Sequence, residues 1–300
     1  MNECRNCGST NTQELGPAGE IAPFVLKKVL NLESGVAPSQ NLIKRFLRKI
    51  TLGRNLLSRI YGASILAELQ LCRNCTFIQT KYPFPEESLM NLYINYRSDT
   101  YNKERIRYEP SYAAIAEQVG KCEQEVESRV NGLTNWLDSK LDIGNDFSML
   151  DYGGADGKFL PKLAGQKYVF EISDVTPLPD VVRIEESTSL SFYSYIQLAH
   201  VLEHVSYPLA LTIKAASYLK PSGCLYVEVP EEIDSKTIDR LMAGDNNIGL
   251  PIHEHINRYT PTSVTKLMES AGLELIGLRS EILDLGWIKS PIIGALGRKR

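Results

Sequence analysis

Hydrophobic positions change their period part-way along the chain. From about residue 148 onward, short apolar runs alternate with longer amphipathic stretches. Strands are predicted at Ser148–Asp151, Lys167–Ile172, Tyr195–Ala199, Gly223–Val229 and Leu273–Ser280. Helices are predicted between them at about Gly157–Leu163, Pro208–Leu219 and Thr262–Ala271, the last opened by Pro261 and closed by Gly272. Such alternation predicts an α/β fold built on a parallel, doubly wound sheet. Ahead of it, Ile115, Val119, Val126, Val130, Leu133 and Leu137 recur every three or four residues and predict a helix from about Ser111 to Leu141. No strand is readable in residues 284–300. There Trp287, Ile288, Ile292 and Ile293 alternate with Lys289, Arg298, Lys299 and Arg300 as an amphipathic, basic stretch.

The first third reads differently. Cys4 and Cys7 form one Cys-x-x-Cys pair, followed by Gly8 where a turn wants a flexible backbone, and Cys72 and Cys75 form a second. The insert between them, about 17–63, is basic and apolar. Leu42, Ile43, Phe46, Leu47 and Ile50 fall at helical spacing opposite cations such as Lys44, Arg45, Arg48 and Lys49. A solvated helical face is the plain reading of this insert; a membrane-surface helix or a phosphate contact is its alternative. Residues 81–112 are rich in tyrosine, including Tyr96 and Tyr101. The organisation expected is therefore an N-terminal module over 1–110 and an α/β domain over 111–300.

Composition narrows the class. The chain has 300 residues, 43% hydrophobic and 23% charged, with a net charge of −3, as expected of an ordinary globular protein. That charge gives no general argument for nucleic acid or membrane as a partner. Met1 is followed at once by polar residues and a cysteine pair, so no leader is expected. Four of the six cysteines stand in Cys-x-x-Cys pairs, which suits thiols kept reduced in a cytoplasm. Cys224, inside a strand pattern, is expected to be buried and inert.

Chemistry concentrates at three places. Asp151-Tyr152-Gly153-Gly154-Ala155-Asp156-Gly157 closes the first strand of the sheet. Glycines there let the backbone turn tightly against a ligand, the next helix points its N-terminus at it, and a strand-end carboxylate takes a hydroxyl or cationic group. The second strand ends in Glu171, where such folds accept ribose hydroxyls. Ala155 breaks a strict Gly-x-Gly-x-Gly pattern. All four histidines fall in two clusters. His200 and His204 follow the strand ending at Ala199; the strand end need not put both rings on one face, so no metal is expected at that pair. His253 and His255 flank Glu254 in a loop before a helix, where a carboxylate next to an imidazole can tune a general base. The four cysteines read best as one tetrahedral Cys4 zinc site, structural because no coordination position is left open. Free thiols or two redox pairs are the alternatives.

Residues 148–280 resemble the class I S-adenosylmethionine-dependent methyltransferases. Asp151 to Gly157 stands where that family has its acidic, glycine-rich loop, Glu171 at the acidic end of the second strand, and His200-Val-Leu-Glu-His-Val205 after the fourth. The resemblance implies a mostly parallel, seven-stranded, Rossmann-like sheet. It also implies that Gly153 and Gly154 border the methionine moiety, Glu171 the ribose, and Leu198, Ala199 and His200 the cofactor, with Asp151 and Asp156 in the loop. Two cysteine pairs ahead of this core resemble the zinc-containing sugar methyltransferases. That group implies a nucleotide- or lipid-linked sugar or glycan as acceptor, O- or C-methylation in deoxysugar or polysaccharide biosynthesis, and proton transfer by Glu254 and His255 with Tyr96 or Tyr101. A scaffold with a degenerate fold is the rival, supported by Ala155 and the unreadable last strand. A nucleic-acid methyltransferase is disfavoured by the acidic net charge.

Overall fold

The computed structural model describes residues 3–31, 65–185, 192–245 and 248–300. The predicted helix around residues 42–50 and its cations lie outside the described residues. The chain divides into two compact units. One comprises Met1–Ala116, Glu203–Tyr207 and Ile233–Thr260; the other comprises Glu117–Leu202, Pro208–Glu232 and Pro261–Arg300.

The first unit is built on a five-stranded sheet. Strands β1 (Thr12–Ile21) and β2 (Ile65–Cys72) pair antiparallel, β3 (Ile78–Thr80) follows β2, and β9 (Leu250–Ile252) and β10 (Asn257–Arg258) close the two edges. The start of the expected insert is regular structure: residues 17–21 complete β1, and helix α1 (Pro23–Leu30) follows at once. Pro23 opens α1, where a missing N–H costs nothing, and Lys27 and Lys28 sit in its last turn beside the negative end of the helix dipole. Phe24, Val25, Leu26, Val29 and Leu30 face the core with Leu69, Leu71, Leu92, Tyr101 and Ile252. Short helices α2 (Glu86–Met90) and α3 (Asp99–Tyr108) carry the tyrosine-rich segment; Ser98 caps α3 by accepting from the Tyr101 N–H.

The second unit holds a seven-stranded sheet in the order β11-β12-β8-β7-β4-β5-β6. Strands β4 (Ser148–Tyr152), β5 (Gln166–Phe170), β6 (Val181–Ile184), β7 (Tyr193–Ala199) and β8 (Leu219–Pro230) are parallel neighbours. Helices α5 (Pro208–Ser217) and α7 (Pro261–Ser270) lie where they were predicted. Helix α4 runs only from Glu123 to Asp138. The longer helix expected from Ser111 breaks at Gly120, which takes a left-handed φ of 68° while its N–H donates to Glu125. In the first unit α6 spans Ser235–Met242, capped by Asp234.

Two expectations fail here. Residues 157–163 form turns and bends instead of a helix. Gly157 sits at φ 80°, and Pro161 lacks the N–H that would bond back to the Gly157 carbonyl beyond the first turn of such a helix. Residues 157–163 therefore present no helix N-terminus to the glycine loop. The tail, by contrast, is a strand: β12 (Lys289–Lys299) pairs antiparallel with both β8 and β11 (Leu273–Asp284). Ile292 and Ile293 are fully buried, so they are core and not a membrane-facing stripe. The strand whose absence would have marked a degenerate fold is present. Its Gly294 is required: a Cβ there would lie 2.5 Å from Tyr226 Oη and 2.9 Å from Arg279 Nε. Gly294→Ala is expected to destabilise the protein by about 1–3 kcal/mol, seen as a lower urea midpoint with unchanged slope.

Candidate active site

In the second unit the chain leaves β4 through Gly153, at φ 81°, whose N–H donates to the Phe170 carbonyl at 2.8 Å. A Cβ on Gly154 would fall 2.1 Å from Asp151 Cγ, and one on Gly153 would fall 2.9 Å from Val201. Ala155 takes φ 52°, the left-handed conformation for which the loop pattern favours glycine. Its N–H donates to Glu171 Oε2 at 2.9 Å, and the Ser173 N–H donates to Oε1 at 2.8 Å. Glu171 thus ties the glycine loop to the loop after β5 and keeps further lone pairs for hydroxyl donors. Arg183 holds that second loop, donating to the carbonyls of Glu171, Ser173 and Val175 at 2.7, 2.5 and 2.9 Å. Asp156 accepts from the Lys158 N–H at 3.2 Å.

Leu198 is buried at the end of β7, and Ala199 and His200 are half-buried after it. His200, at φ 56°, donates its N–H to the Glu228 carbonyl at 2.8 Å and places Nε2 3.4 Å from Glu228 Oε1. Glu228 also meets Arg129 at 3.0 Å, Tyr226 at 2.7 Å and Arg279 at 3.2 Å. Burial alone would push its carboxyl up, but Arg129, His200 and Tyr226 outweigh that and hold it well below the usual carboxylate range. Nothing in the sequence pointed to Glu228, Arg129 or Arg279, which lie far apart along the chain and sit in ordinary strand and helix patterns.

Asp151 is buried and neither carboxylate oxygen has a hydrogen-bond partner. Its strand neighbour Gln197 donates to Phe159 O at 3.3 Å and accepts from Tyr195 Oη at 3.2 Å; its amide and Arg129 lower the Asp151 carboxyl by less than burial raises it. Burial pushes the Asp151 carboxyl up to about 7. An orphaned buried carboxyl beside a loop that admits no Cβ fits a cationic group such as the ammonium of S-adenosylmethionine. The sign follows from linkage. With the folded pKa near 7 and the unfolded value at 3.8, stability is lost as pH rises from about 4 and the loss is complete above about 7. At about 1.4 kcal/mol for each pH unit of displacement this comes to roughly 4 kcal/mol. Asp151→Asn is therefore expected to raise the thermal midpoint of the cofactor-free protein at pH 8 while weakening cofactor binding. Scanning calorimetry and titration on the same variant read the two opposite effects.

The first unit gathers the other candidates. Glu254, buried on the loop after β9, accepts from Tyr101 Oη at 2.6 Å and Tyr96 Oη at 3.3 Å and pairs with Arg105. Burial would raise its carboxyl, but Arg105, His204, Tyr101 and His255 together hold it below the usual range. Burial and the Glu254 charge push Tyr101 and Tyr96 well above the ordinary tyrosine range, so both stay protonated donors. His253 is largely exposed, with Nδ1 3.9 Å from Glu109. His255 is half-buried, its ring 4.8 Å from that of His204.

The four cysteines also converge in this unit. Cys4 Sγ lies 3.7 Å from Cys75 Sγ, and Cys7 Sγ lies 3.8 Å from Cys72 Sγ. A tetrahedral site with Zn–S of ~2.3 Å has edges of about 3.8 Å. Each pair ends in a left-handed residue, Gly8 at φ 74° and Thr76 at φ 60°, so that the Gly8 and Thr76 N–H groups reach back to the carbonyls of Cys4 and Cys72. Asn6 and Asn74 each donate to a sulfur of the opposite pair at 3.7 Å. Hydrogen bonds from Cys4 and Cys75 pull the Cys72 thiol well down, and sharing with it pushes the Cys4 thiol up. The arrangement can hold a tetrahedral thiophilic cation. None of the six cysteines is in a disulfide, and Cys224 is buried.

Solved structures similar to this chain include a Haloferax volcanii putative methyltransferase in complex with the Trm112 methyltransferase activator, at 11% identity and a TM-score of 0.46, over 63% of this chain and 96% of that one. A 1,6-didemethyltoxoflavin-N1-methyltransferase from Burkholderia thailandensis aligns at 11% identity and a TM-score of 0.47, over 76% of this chain and 97% of that one. A possible histamine N-methyltransferase from Thermotoga maritima aligns at 12% identity and a TM-score of 0.43, over 65% and 98%. No curated protein matches the sequence. The pattern of the methyltransferase-domain family matches residues 106–278. Joined to the glycine loop, the orphaned Asp151 carboxyl and the seven-stranded sheet, that match makes the chain a member of the S-adenosylmethionine-dependent methyltransferase family.

Proposed function

We propose that the enzyme methylates a sugar, carried on a nucleotide or within a lipid-linked or polymeric glycan, with His255 as the base and a structural Zn2+ on Cys4, Cys7, Cys72 and Cys75. The observation that carries this reading is the Glu254 cluster. A buried carboxylate fixes two protonated tyrosines, Tyr101 and Tyr96, one residue away from a half-buried histidine. Hydroxyl donors gathered on one carboxylate beside an imidazole suit a polyhydroxylated acceptor: the tyrosines and Arg105 orient it and His255 takes a proton from it. S-adenosylmethionine, when bound, supplies an electrophilic methyl group on a sulfonium, held by Asp151, Gly153, Gly154, Asp156 and Glu171 with Leu198, Ala199 and His200 beside it. For O-transfer the proton comes from a hydroxyl; for C-transfer it comes from the carbon next to a ketone. His253 is the second candidate for the same step.

The test is methyl transfer to a panel of nucleotide-linked sugars and keto-deoxysugars, followed as S-adenosylhomocysteine release. His255→Ala should cost about 10²–10⁴-fold in turnover while the affinity for S-adenosylmethionine changes by less than about twofold. Unchanged turnover in that variant removes His255 from the role. Turnover on small amines with none on any sugar would replace the acceptor class.

A further inference from the structure

A second cluster of potential metal ligands stands in the first unit, and the four cysteines take no part in it. Glu203, His204 and His255 each direct a ligand atom into one spot, all of them within 4.8 Å of one another. Glu203 is fully buried and His204 and His255 are half-buried. His204 Nε2 lies 3.8 Å from Glu203 Oε1.

The tautomer of His204 is fixed by its partner. Its Nδ1 lies 3.1 Å from the Glu254 carbonyl oxygen, which can only accept, so Nδ1 carries the proton. In the neutral ring Nε2 is then a lone pair, and it faces a carboxylate oxygen. A ligand imidazole characteristically donates its other N–H to a backbone carbonyl in this way, which sets ring orientation and raises basicity. The two chain segments that carry the ligands are also clipped together. The Ile256 N–H donates to Glu203 O at 2.8 Å, and Asn257 Nδ2 donates to Val205 O at 2.8 Å. With the His204–Glu254 bond, these contacts fix 203–205 against 254–257 on both sides of the cluster.

We infer that Glu203, His204 and His255 form a second metal site, taking one first-row divalent cation such as Zn2+ or Co2+ through two imidazole nitrogens and one carboxylate oxygen. Two nitrogen donors and one oxygen favour such a cation over Mg2+ or Ca2+, which take oxygen ligands. Ligand bonds of ~2.0–2.1 Å give tetrahedral edges of about 3.3 Å, so small side-chain rotations close the site. Three protein ligands leave a coordination position open, unlike the four-thiolate site. Such a position accepts an oxygen of an acceptor, which makes this the site with chemical rather than structural consequences. In the loaded protein the His255 lone pair is on the cation; the base role assigned to it above belongs to the metal-free protein. The inference rests on ligand geometry and stands whatever the acceptor.

Cobalt separates the two sites and needs no turnover assay. Co2+ is titrated into metal-free, reduced full-length protein, with bound metal counted by elemental analysis after dialysis. Thiolate ligation is read from its sulfur-to-metal charge-transfer absorption. The expected result is an equivalent of Co2+ that binds without adding to that absorption, absent from both Glu203→Gln and His255→Gln. Retained charge-transfer absorption in these variants shows that the fold around the cysteines persists. If all cobalt bound by the wild type is accounted for by thiolate absorption, the inference is overturned. The same holds if the non-thiolate equivalent survives both substitutions. The wild-type count decides even where a variant fails to fold. Loss of activity in His255→Ala without any such equivalent would leave the base assignment standing and remove the metal.

Discussion

Gly154→Ala should abolish binding of S-adenosylmethionine, with affinity falling by about 100-fold or more in calorimetric titration. The added Cβ would lie 2.1 Å from Asp151 Cγ, 2.3 Å from Oδ2 and 2.5 Å from Cβ. No flexible end yields to it, since Asp151 sits in a strand buried along its whole length. The loop must move instead, and with it Ala155, whose N–H is bound to Glu171. Overpacking of this kind costs about 1–3 kcal/mol. A cost at the upper end, expressed in the bound state, is two decades of affinity. The cysteine cluster lies in the other unit, so the content of the metal proposed there should be unchanged. Near-normal affinity in Gly154→Ala would mean that the cofactor does not approach this loop.

Cys75→Ser should release the metal proposed for the four sulfurs and lower the thermal midpoint by roughly 10 °C or more. The Cys75 sulfur is buried and accepts from Asn6, and the two knuckles it joins lie together at one end of the β1–β2 pair, where Thr12 is opposite Cys72. Structural Zn2+ contributes about 10–16 kcal/mol of binding free energy in small modules. Here a core of Phe24, Leu69, Leu71 and Ile252 already supports the unit, so only part of that reaches stability. A loss near 4 kcal/mol moves the midpoint by roughly 8–16 °C for a unit of about 150 residues. Chelation of the wild type should reproduce the shift, and added Zn2+ should reverse it. An unshifted midpoint together with full metal content would rule out cysteine ligation.

The parallel strands were legible because their apolar runs are short, bounded by turn residues and rich in β-branched and aromatic side chains. β12 was not. Pro291, Gly294 and Gly297 interrupt its pattern, and because its centre is buried on both faces it shows no alternation. Strand–helix alternation predicts a helix over Gly157–Leu163, but Pro161 and the left-handed Gly157 settle the matter locally. The acidic loop and Glu171 could be placed from motif spacing, but the bonds that Glu171 makes to Ala155 and Ser173 could not. Tyr96, Tyr101 and Glu254 were named as candidates separately; their convergence on one carboxylate depends on tertiary packing across more than a hundred residues of chain. His204 was read against its sequence neighbour His200. Its partners turned out to be Glu203 and the loop after β9, a pairing that no spacing rule encodes.

The path of the chain through its two units constrains how the protein is made. The first unit is finished only when residues 233–260 arrive to supply β9, β10 and the Glu254 loop, after most of the second unit's strands have been synthesised. The second unit waits longer: β12, which follows every other strand of its sheet in sequence, must insert between β8 and β11. Until then β8 presents an unpaired edge of buried-type residues. Folding therefore depends on contacts between distant parts of the chain, the regime of slow rates and exposure to aggregation during synthesis. Neither unit is a segment that can be cut out and expressed alone.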